Sequence, residues 1–398
     1  MTQTAIKTLV QAELEHARSL RHELHRIPEL GFKEERTSRV VQRELASASV
    51  QFTPGLAGGT GVLGYIPATR DADRAPTIAL RADMDALPIE EKTGRPYASQ
   101  TPGLMHACGH DGHTTMLLGA ARVISRLPER PNNVLLVFQP AEEGGAGGRR
   151  MCEEGVLAGR VLGKPADAIY GLHGWPTLPL GQVSTRTGPL LAATDEFDVV
   201  IRGSGGHAAY PHLCIDPIVV AAHIVTALQT IASRRTDPLD AIVVTVGVIQ
   251  AGTASNIIPD TATIRGTVRT LTEPTRAAAE RDIKRLMEQT AAAHGAKAEI
   301  DWQVGYPATV NHPEPTDRFR RLAAGALGKD RFIEAPVPSM GGEDFSFYGK
   351  QVPACFFLLG LCPSGQTYPR LHTPEFDFND DALASGIEMM CTLAAAPK

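Results

Sequence analysis

Aromatic residues are scarce in this chain of 398 residues, at 5%, and only two of them are Trp. Without aromatic side chains interleaved with a basic surplus, the usual grip on nucleic acid by stacking and phosphate pairing is missing. The charge balance agrees, because 39 Lys and Arg against 44 Asp and Glu leave a formal net charge of −5. Six cysteines in a chain of this length do not make a disulfide scaffold. No run of about 18 uninterrupted apolar residues occurs, so no membrane helix is expected. The opening MTQTAIKTLVQAELEHARSLRHELHRIPEL lacks the compact apolar core and small-residue cleavage site of a secretory signal. These absences point to a cytoplasmic protein with neither nucleic-acid nor membrane partners. There is also no G-x-x-x-x-G-K-[ST] phosphate loop and no G-x-S-x-G nucleophile elbow. Gly59–Gly64 fits G-x-G-x-x-G, but it precedes a strand and no helix follows. Gly203–Ala208 follows a strand, yet Pro211 delays the helix and no acidic residue lies about 20 positions on. Neither is read as a dinucleotide site.

What is present is ordinary globular composition, 43% hydrophobic and 21% charged, with enough chain for a large core. Residues 4–27 and 34–47 carry helical periodicity. Apolar β-branched runs follow at Val62–Ile66, Thr77–Ala82, Val134–Gln139 and Ala168–His173, with a helix over His113–Leu127 between them. Asp111 is placed as the N-cap of that helix. The alternation predicts an α/β layer with a mixed, mostly parallel sheet flanked by helices. The middle of the chain has another order. Strand Glu196–Arg202, helix Cys214–Ala232, strands Ala241–Ile249 and Thr261–Arg269, helix Pro274–His294 and strand Lys297–Val304 spell β-α-β-β-α-β. That order predicts an inserted ferredoxin-like α+β domain over residues 186–300, set into a discontinuous catalytic domain of residues 1–185 and 301–398. The tail returns to α/β, with a helix near 316–327, strand Ala354–Leu359 and a helix near 380–395.

Chemistry-bearing residues gather where strands of the outer domain end. Thr77–Ala82 runs into Asp83-Met84-Asp85, and the loop before the next helix reads His106-Ala107-Cys108-Gly109-His110-Asp111-Gly112-His113. Val134–Gln139 leads to Glu142-Glu143, the next strand reaches His173, and Ala354–Leu359 leads through a loop to His372. Ligands of open α/β sheets bind at the carboxyl ends of strands. A lone loop histidine or a Glu pair is ordinarily just solvated. Three His, a Cys and an Asp within eight residues are not ordinary composition. Cys108 as thiolate, His110, His173 and His372 as imidazoles and Glu143 as carboxylate suit metal ions. Five ligands exceed one tetrahedral ion and suit two divalent ions, Zn, Mn, Co or Ni, sharing a bridging group and a water. His106 and His113 compete with His110, and Asp83 and Asp85 compete as bridging or supporting groups. Glu142, beside a ligand, is positioned to act as general base. A thiol-protease reading of Cys108 is disfavoured, because the surrounding acids raise the thiol pKa.

These segments resemble the M20 metallopeptidase family, in its amidohydrolase branch. The resemblance runs through LRADMDALPIEE (80–91), HACGHDGHTTMLLGAA (106–121), QPAEEGGAGG (139–148), GLHGWPTLPLGQV (171–183), GSGGHAAYPH (203–212), ASNIIPD (254–260), GTVRTL (266–271), SMGGEDFSFY (339–348) and LHTPEFDFND (371–380). It implies a catalytic domain with a di-metal site and an inserted lid that mediates a homodimer or homotetramer. It implies metal ligands at Cys108, His110, Glu143, His173 and His372, and a general base at Glu142. It matches Asp85 to an acid that orients the site and His207 to a lid histidine that stabilises the oxyanion. Asn256, with Arg265 or Arg269, is a candidate to hold a substrate carboxylate, since Arg offers a bidentate fork. The implied reaction is hydrolysis of N-acyl amino acids, hippurate-like or N-acetylated. A dipeptidase or carboxypeptidase of the same family is the nearest alternative, and a non-catalytic metal-holding module is the alternative of another class. Cys108 stands where other branches carry a carboxylate, so the identity of the bridging ligand stays open.

Overall fold

The computed structural model describes residues 3–398, so Met1 and Thr2 of the expected catalytic domain lie outside it. The chain divides into two compact units. Of the described residues, the first comprises 3–190, 310–337 and 344–398, and the second 191–309 with the short segment 338–343.

The first unit is built on an eight-stranded sheet in the order Gln51–Leu56, Gly61–Ile66, Asn133–Gln139, Thr77–Asp83, Ala168–Pro179, Ala354–Cys362, Val183–Thr185, Phe332–Glu334. The four central strands are mutually parallel. Three of them are buried along nearly all their length and Ala168–Pro179 over its first seven residues, as strands covered on both faces must be. Antiparallel partners occur towards the margins. The first helix, Gln3–His25, buries Ile6, Val10, Ala17, Leu20 and Leu24, a spacing of three, four and seven that makes one apolar stripe. It packs with His110–Ser125 and Leu383–Ala395 in one core. Gly112 permits a close approach there, because a Cβ at that position would lie 2.5 Å from the Phe378 ring.

One local expectation fails. The helix starts at His110 behind Gly109, and Asp111 is not its N-cap but sits in the first turn. The Asp111 carboxylate is already taken by His25 Nδ1 at 2.8 Å and Arg21 Nη1 at 3.4 Å. Gly109, at φ 89°, supplies the left-handed turn instead.

The second unit has a four-stranded antiparallel sheet in the order Ile242–Ala251, Thr261–Thr270, Ala193–Arg202, Lys297–Val304. With helices Pro217–Thr230 and Glu273–Ala293 this is the ferredoxin-like β-α-β-β-α-β arrangement, spatial order 2-3-1-4. One described helix, Pro217–Arg235, passes for a membrane span by length and hydropathy, where none was expected. Its Val220, Ala221, Ile224, Leu228 and Ile231 pack against Phe197, Val199, Ile264 and Ile283, so it is the core helix of this unit.

Candidate active site

The parallel strands of the first unit end in the loops that carry the candidate ligands. Cys108 Sγ lies 3.2 Å from His173 Nε2 and 3.3 Å from His372 Nε2. His372 Nε2 is 3.1 Å from Glu143 Oε1. Ligand atoms fall into groups within 4.8 Å of one another: Cys108, His110 and His173; Cys108, Glu143 and His372; His110, Glu142 and Glu143. The structure therefore brings together all five expected ligands and the expected base. Cys108 belongs to both of the first two groups.

Two of the three ligand imidazoles are turned by a backbone partner. His110 Nδ1 donates to the Asp85 carbonyl at 2.9 Å, and His173 Nδ1 donates to the Gly174 carbonyl at 2.7 Å. Their Nε2 atoms are left with the lone pair facing the cluster. His110 Nε2 is buried without any hydrogen-bond partner, and Glu143 Oε1 has none beyond its 3.1 Å approach to His372 Nε2. Orphaned acceptors in a dry place cost free energy unless a cation meets them. The donor set of thiol, imidazoles and carboxylate fits transition-metal ions.

Electrostatics point the same way. Burial, and then Glu143 and Glu142, push the Cys108 thiol well above its usual value. Burial favours a neutral His110, yet Asp83 and Asp85 raise it to about 10. Burial and the neighbouring His113 ring hold His173 well below the usual imidazole value. A divalent cation reverses this balance by displacing protons from thiol and imidazole. Without a metal, the raised thiol leaves the thiol-protease reading of Cys108 without its thiolate.

The competing residues are spoken for. His113 Nδ1 donates to Asp83 Oδ1 at 2.7 Å, and its Nε2 accepts the Gly174 N–H at 2.8 Å. Asp83 Oδ2 meets Arg81 at 2.8 Å. These bonds brace the ligands, while Asp83 and His113 also keep ligand atoms within 4.8 Å of each other and of one on His110. His106 is fully buried on the other side of the loop, near the His25 ring, and burial lowers it to about 4.

Asp85 organises the base. Its Oδ1 accepts the Glu142 N–H at 3.0 Å and its Oδ2 accepts the Glu143 N–H at 2.9 Å. Glu142 is buried, and its Oε1 lies 3.4 Å from the Asp344 N–H. Backbone strain marks the same loops: Ala141 has φ 53° and His372 has φ 61°.

The remaining candidates lie in the second unit. His207 pairs with Ile257 on a two-stranded ladder, and Asn256 precedes that strand, its carbonyl accepting the Ala208 N–H at 3.0 Å. His207 Nδ1 accepts the Ala209 N–H at 3.1 Å, which puts the proton of the neutral ring on Nε2. Arg265 and Arg269 share the sheet face opposite the helices. Arg265 pairs with Asp198 at 3.4 Å across the ladder, while Arg269 lies close to Gly342. The sequence reading missed the roles of Arg81, His113, Asp344 and Glu34. Arg81, His113 and Asp344 stood in motifs that could have flagged them, and Glu34 did not.

A buried thiol–imidazole–carboxylate centre at the carboxyl edge of a parallel sheet, with a second carboxylate beside it, defines a metal-dependent hydrolase. Residues 79–396 match the peptidase family M20/M25/M40, and the chain belongs to that family. It is 40% identical over 94% of its length, and 83% of the relative's, to an Arabidopsis thaliana protein named IAA-amino acid hydrolase ILR1-like 2. It is 43% identical to the N-acetyl-L-cysteine deacetylase of Bacillus subtilis, over 92% of this chain and 84% of that one. Among solved structures, a Bacillus subtilis protein described as a dinuclear metal-binding peptidase of the M20 family superposes with a TM-score of 0.82 at 36% identity, covering 97% and 98% of the two chains. The chain is thus an amidohydrolase acting on linear amide bonds, and its ligand groups support two divalent metal ions.

Proposed function

We propose that this enzyme hydrolyses N-acyl amino acids to a carboxylic acid and a free amino acid, with Glu142 as general base. The observation that carries the reading is the fixed pair at 142 and 143. One carboxylate, Asp85, holds both backbone amides, so Glu143 joins the ligand cluster while Glu142 sits beside it. Relatives named for hydrolysis of indole-acetyl and N-acetyl amino-acid conjugates support the substrate class.

Cys108, His110, Glu143, His173 and His372 would hold the ions, with Cys108 shared between the two groups as the bridging ligand. Divalent ions bound there supply Lewis acidity, which polarises an amide carbonyl and acidifies water. Glu142 takes the proton of the attacking water and delivers it to the leaving amine. Asp85 keeps Glu142 aimed through the backbone. His207 offers its Nε2–H to the developing oxyanion, and Asn256 and Arg269 hold the substrate carboxylate. Arg265 is the weaker candidate because Asp198 already engages it.

The native metal is one of Zn, Mn, Co and Ni, and the thiolate ligand favours Zn. We further propose a homodimer through the second unit, supported by its exposed edge strand Ile242–Ala251 and the exposed Ile218, Val219, Val243 and Ile249. A tetramer would need a second such surface. The cytoplasm is the proposed compartment, in keeping with six cysteines that form no disulfide.

The test is to strip the protein with chelator, restore each metal separately, and measure amine release from N-benzoylglycine, N-acetyl amino acids, aryl-acetyl amino acids and dipeptides. Glu142→Ala should lose turnover by a factor of about 10³ or more and keep both ions, while Glu143→Ala should lose metal as well. Near-native turnover in Glu142→Ala would remove the base assignment. Release from dipeptides alone would move the enzyme to the peptidase side of the family.

A further inference from the structure

Glu34 lies outside the residues that match the family and is not one of the ligands or bases above. It occupies the N-cap position of helix Glu35–Ser47, yet its side chain makes no cap bond. The carboxylate of Glu29 does that work, accepting the N–H groups of Arg36 at 2.9 Å and Thr37 at 2.9 Å. The helix therefore does not need the Glu34 carboxyl, and its own chain geometry does not explain why that carboxyl is fully buried.

Its bonds lead elsewhere. Oε2 accepts the Thr60 hydroxyl at 2.7 Å, and Oε1 accepts the N–H of Ala141 at 2.8 Å. Ala141 is the residue before Glu142, and it holds a left-handed φ of 53° that an L-residue adopts only under constraint. Three successive amides of this loop thus end on two buried carboxyl groups: Ala141 on Glu34, Glu142 on Asp85 Oδ1 and Glu143 on Asp85 Oδ2. Gly31 closes the same loop from the side, since a Cβ there would lie 2.9 Å from the Ala141 Cβ.

We propose that Glu34 is a positioning residue for the amide-hydrolysing reaction, fixing the strained Ala141 backbone so that the carboxylate of Glu142 is aimed at the reacting water. The proposal rests on the reading of Glu142 as the base. Burial pushes the Glu34 carboxyl up to about 7, as expected for a group placed in a dry site for its hydrogen bonds. Either protonation state can accept the Ala141 N–H, so the requirement is for an acceptor of this length at this place. Gln meets that requirement and Asp, one methylene shorter, does not.

The test uses metal-loaded enzyme and compares Glu34→Gln, Glu34→Asp and Glu142→Ala for bound metal per chain, kcat and KM. Glu34→Gln should stay within threefold of wild-type kcat. Glu34→Asp should lower kcat at least tenfold, with KM changed less than threefold and two ions retained. A purely structural role would lower the yield of folded enzyme and leave kcat per metal-loaded chain unchanged, and that result overturns the proposal. So does a Glu34→Gln loss as large as that of Glu34→Asp. If Glu34→Asp does not accumulate as folded protein, Thr60→Val decides, since it removes the hydroxyl that holds Oε2. It must lower kcat threefold or more at unchanged KM, and a wild-type kcat overturns the proposal. Near-native turnover in Glu142→Ala would instead remove the underlying base assignment, and the two failures are told apart.

Discussion

Asp85→Asn is the sharpest probe of how the site is held. The two carboxylate oxygens of Asp85 each accept a different backbone N–H, from Glu142 at 3.0 Å and from Glu143 at 2.9 Å. Asn keeps the size but has one acceptor oxygen. One of the two amides must then face an NH₂ group, donor against donor. Leaving a buried donor unmet costs about 1–3 kcal/mol, and the surviving bond loses its charge assistance, about 1 kcal/mol more. The loop relieves a penalty of about 2–4 kcal/mol by moving, and it carries both Glu142 and Glu143. At about 1.4 kcal/mol per factor of ten, this predicts a fall in kcat/KM of roughly 30- to 700-fold. Metal affinity should fall about 10- to 100-fold, the usual effect of losing a partner that orients a ligand. His110 bonds the backbone carbonyl of residue 85, a contact the substitution leaves in place. The assay is steady-state hydrolysis of an N-acyl amino acid across a metal titration, with metal content measured in parallel. The defect must persist at metal saturation and must lie mainly in kcat. An Asp85→Asn enzyme with kcat within threefold of wild type at saturating metal would refute the reasoning.

Cys108→Ser should release both ions, because the thiol belongs to both ligand groups, whereas His372→Ala should release one, and elemental analysis after gel filtration separates the two. Gly147→Ala would set a Cβ 1.7 Å from the Pro140 carbonyl oxygen, so the base loop must shift; kcat should drop at least tenfold and the midpoint of thermal unfolding by several degrees. Glu34 has a folded pKa of about 7, raised from 4.5, so the native state binds its proton more tightly than the unfolded state. That contribution to stability is complete below about pH 4.5 and is lost as pH rises through 7, by up to about 3 kcal/mol. Relative to wild type, Glu34→Gln should therefore be more stable at pH 8 than at pH 5, and equal differences at both would contradict the burial of an ionisable group there.

The ends of the central strands were legible because chemistry repeats at one edge of a parallel sheet. Asp83, Glu142, His173 and His372 each follow or end an apolar run, and the fold stacks those runs side by side. The β-α-β-β-α-β order was legible because helices and strands of that unit alternate with clean periodicities. The choice among His106, His110 and His113 was not legible. They are four and three residues apart, and only tertiary partners decide which ring nitrogen is left over. Asp111 looked like a cap because sequence cannot show that Arg21 and His25, some 90 positions earlier, claim its carboxylate. Glu34 was invisible for a similar reason, since KEER reads as a solvated charge run and its partner Ala141 is 107 residues away.

The partners of the ligand imidazoles have a consequence for how the centre responds to acid. His110 and His173 donate their Nδ1–H to carbonyl oxygens of Asp85 and Gly174, and of the two only His110 also has a carboxylate at hand, Asp85 Oδ1 at 3.3 Å. A carbonyl takes up no proton in the working range, so falling pH cannot turn the His173 ring by neutralising its support. At His173 protons compete with metal only at the ligand atom itself. Asp83 acts on His173 one step removed, through His113. Burial works against its ionisation, yet the positive partners His110, His113 and Arg81 keep it far below the usual carboxylate range. The Gly174 N–H, whose carbonyl supports His173, is anchored on that same His113 ring. Replacing His113 by Asn should then loosen the metal through His173 without altering the pH at which metal is lost from the remaining ligands. A parallel shift of the whole metal-release curve to higher pH would show that the support is electrostatic and not positional.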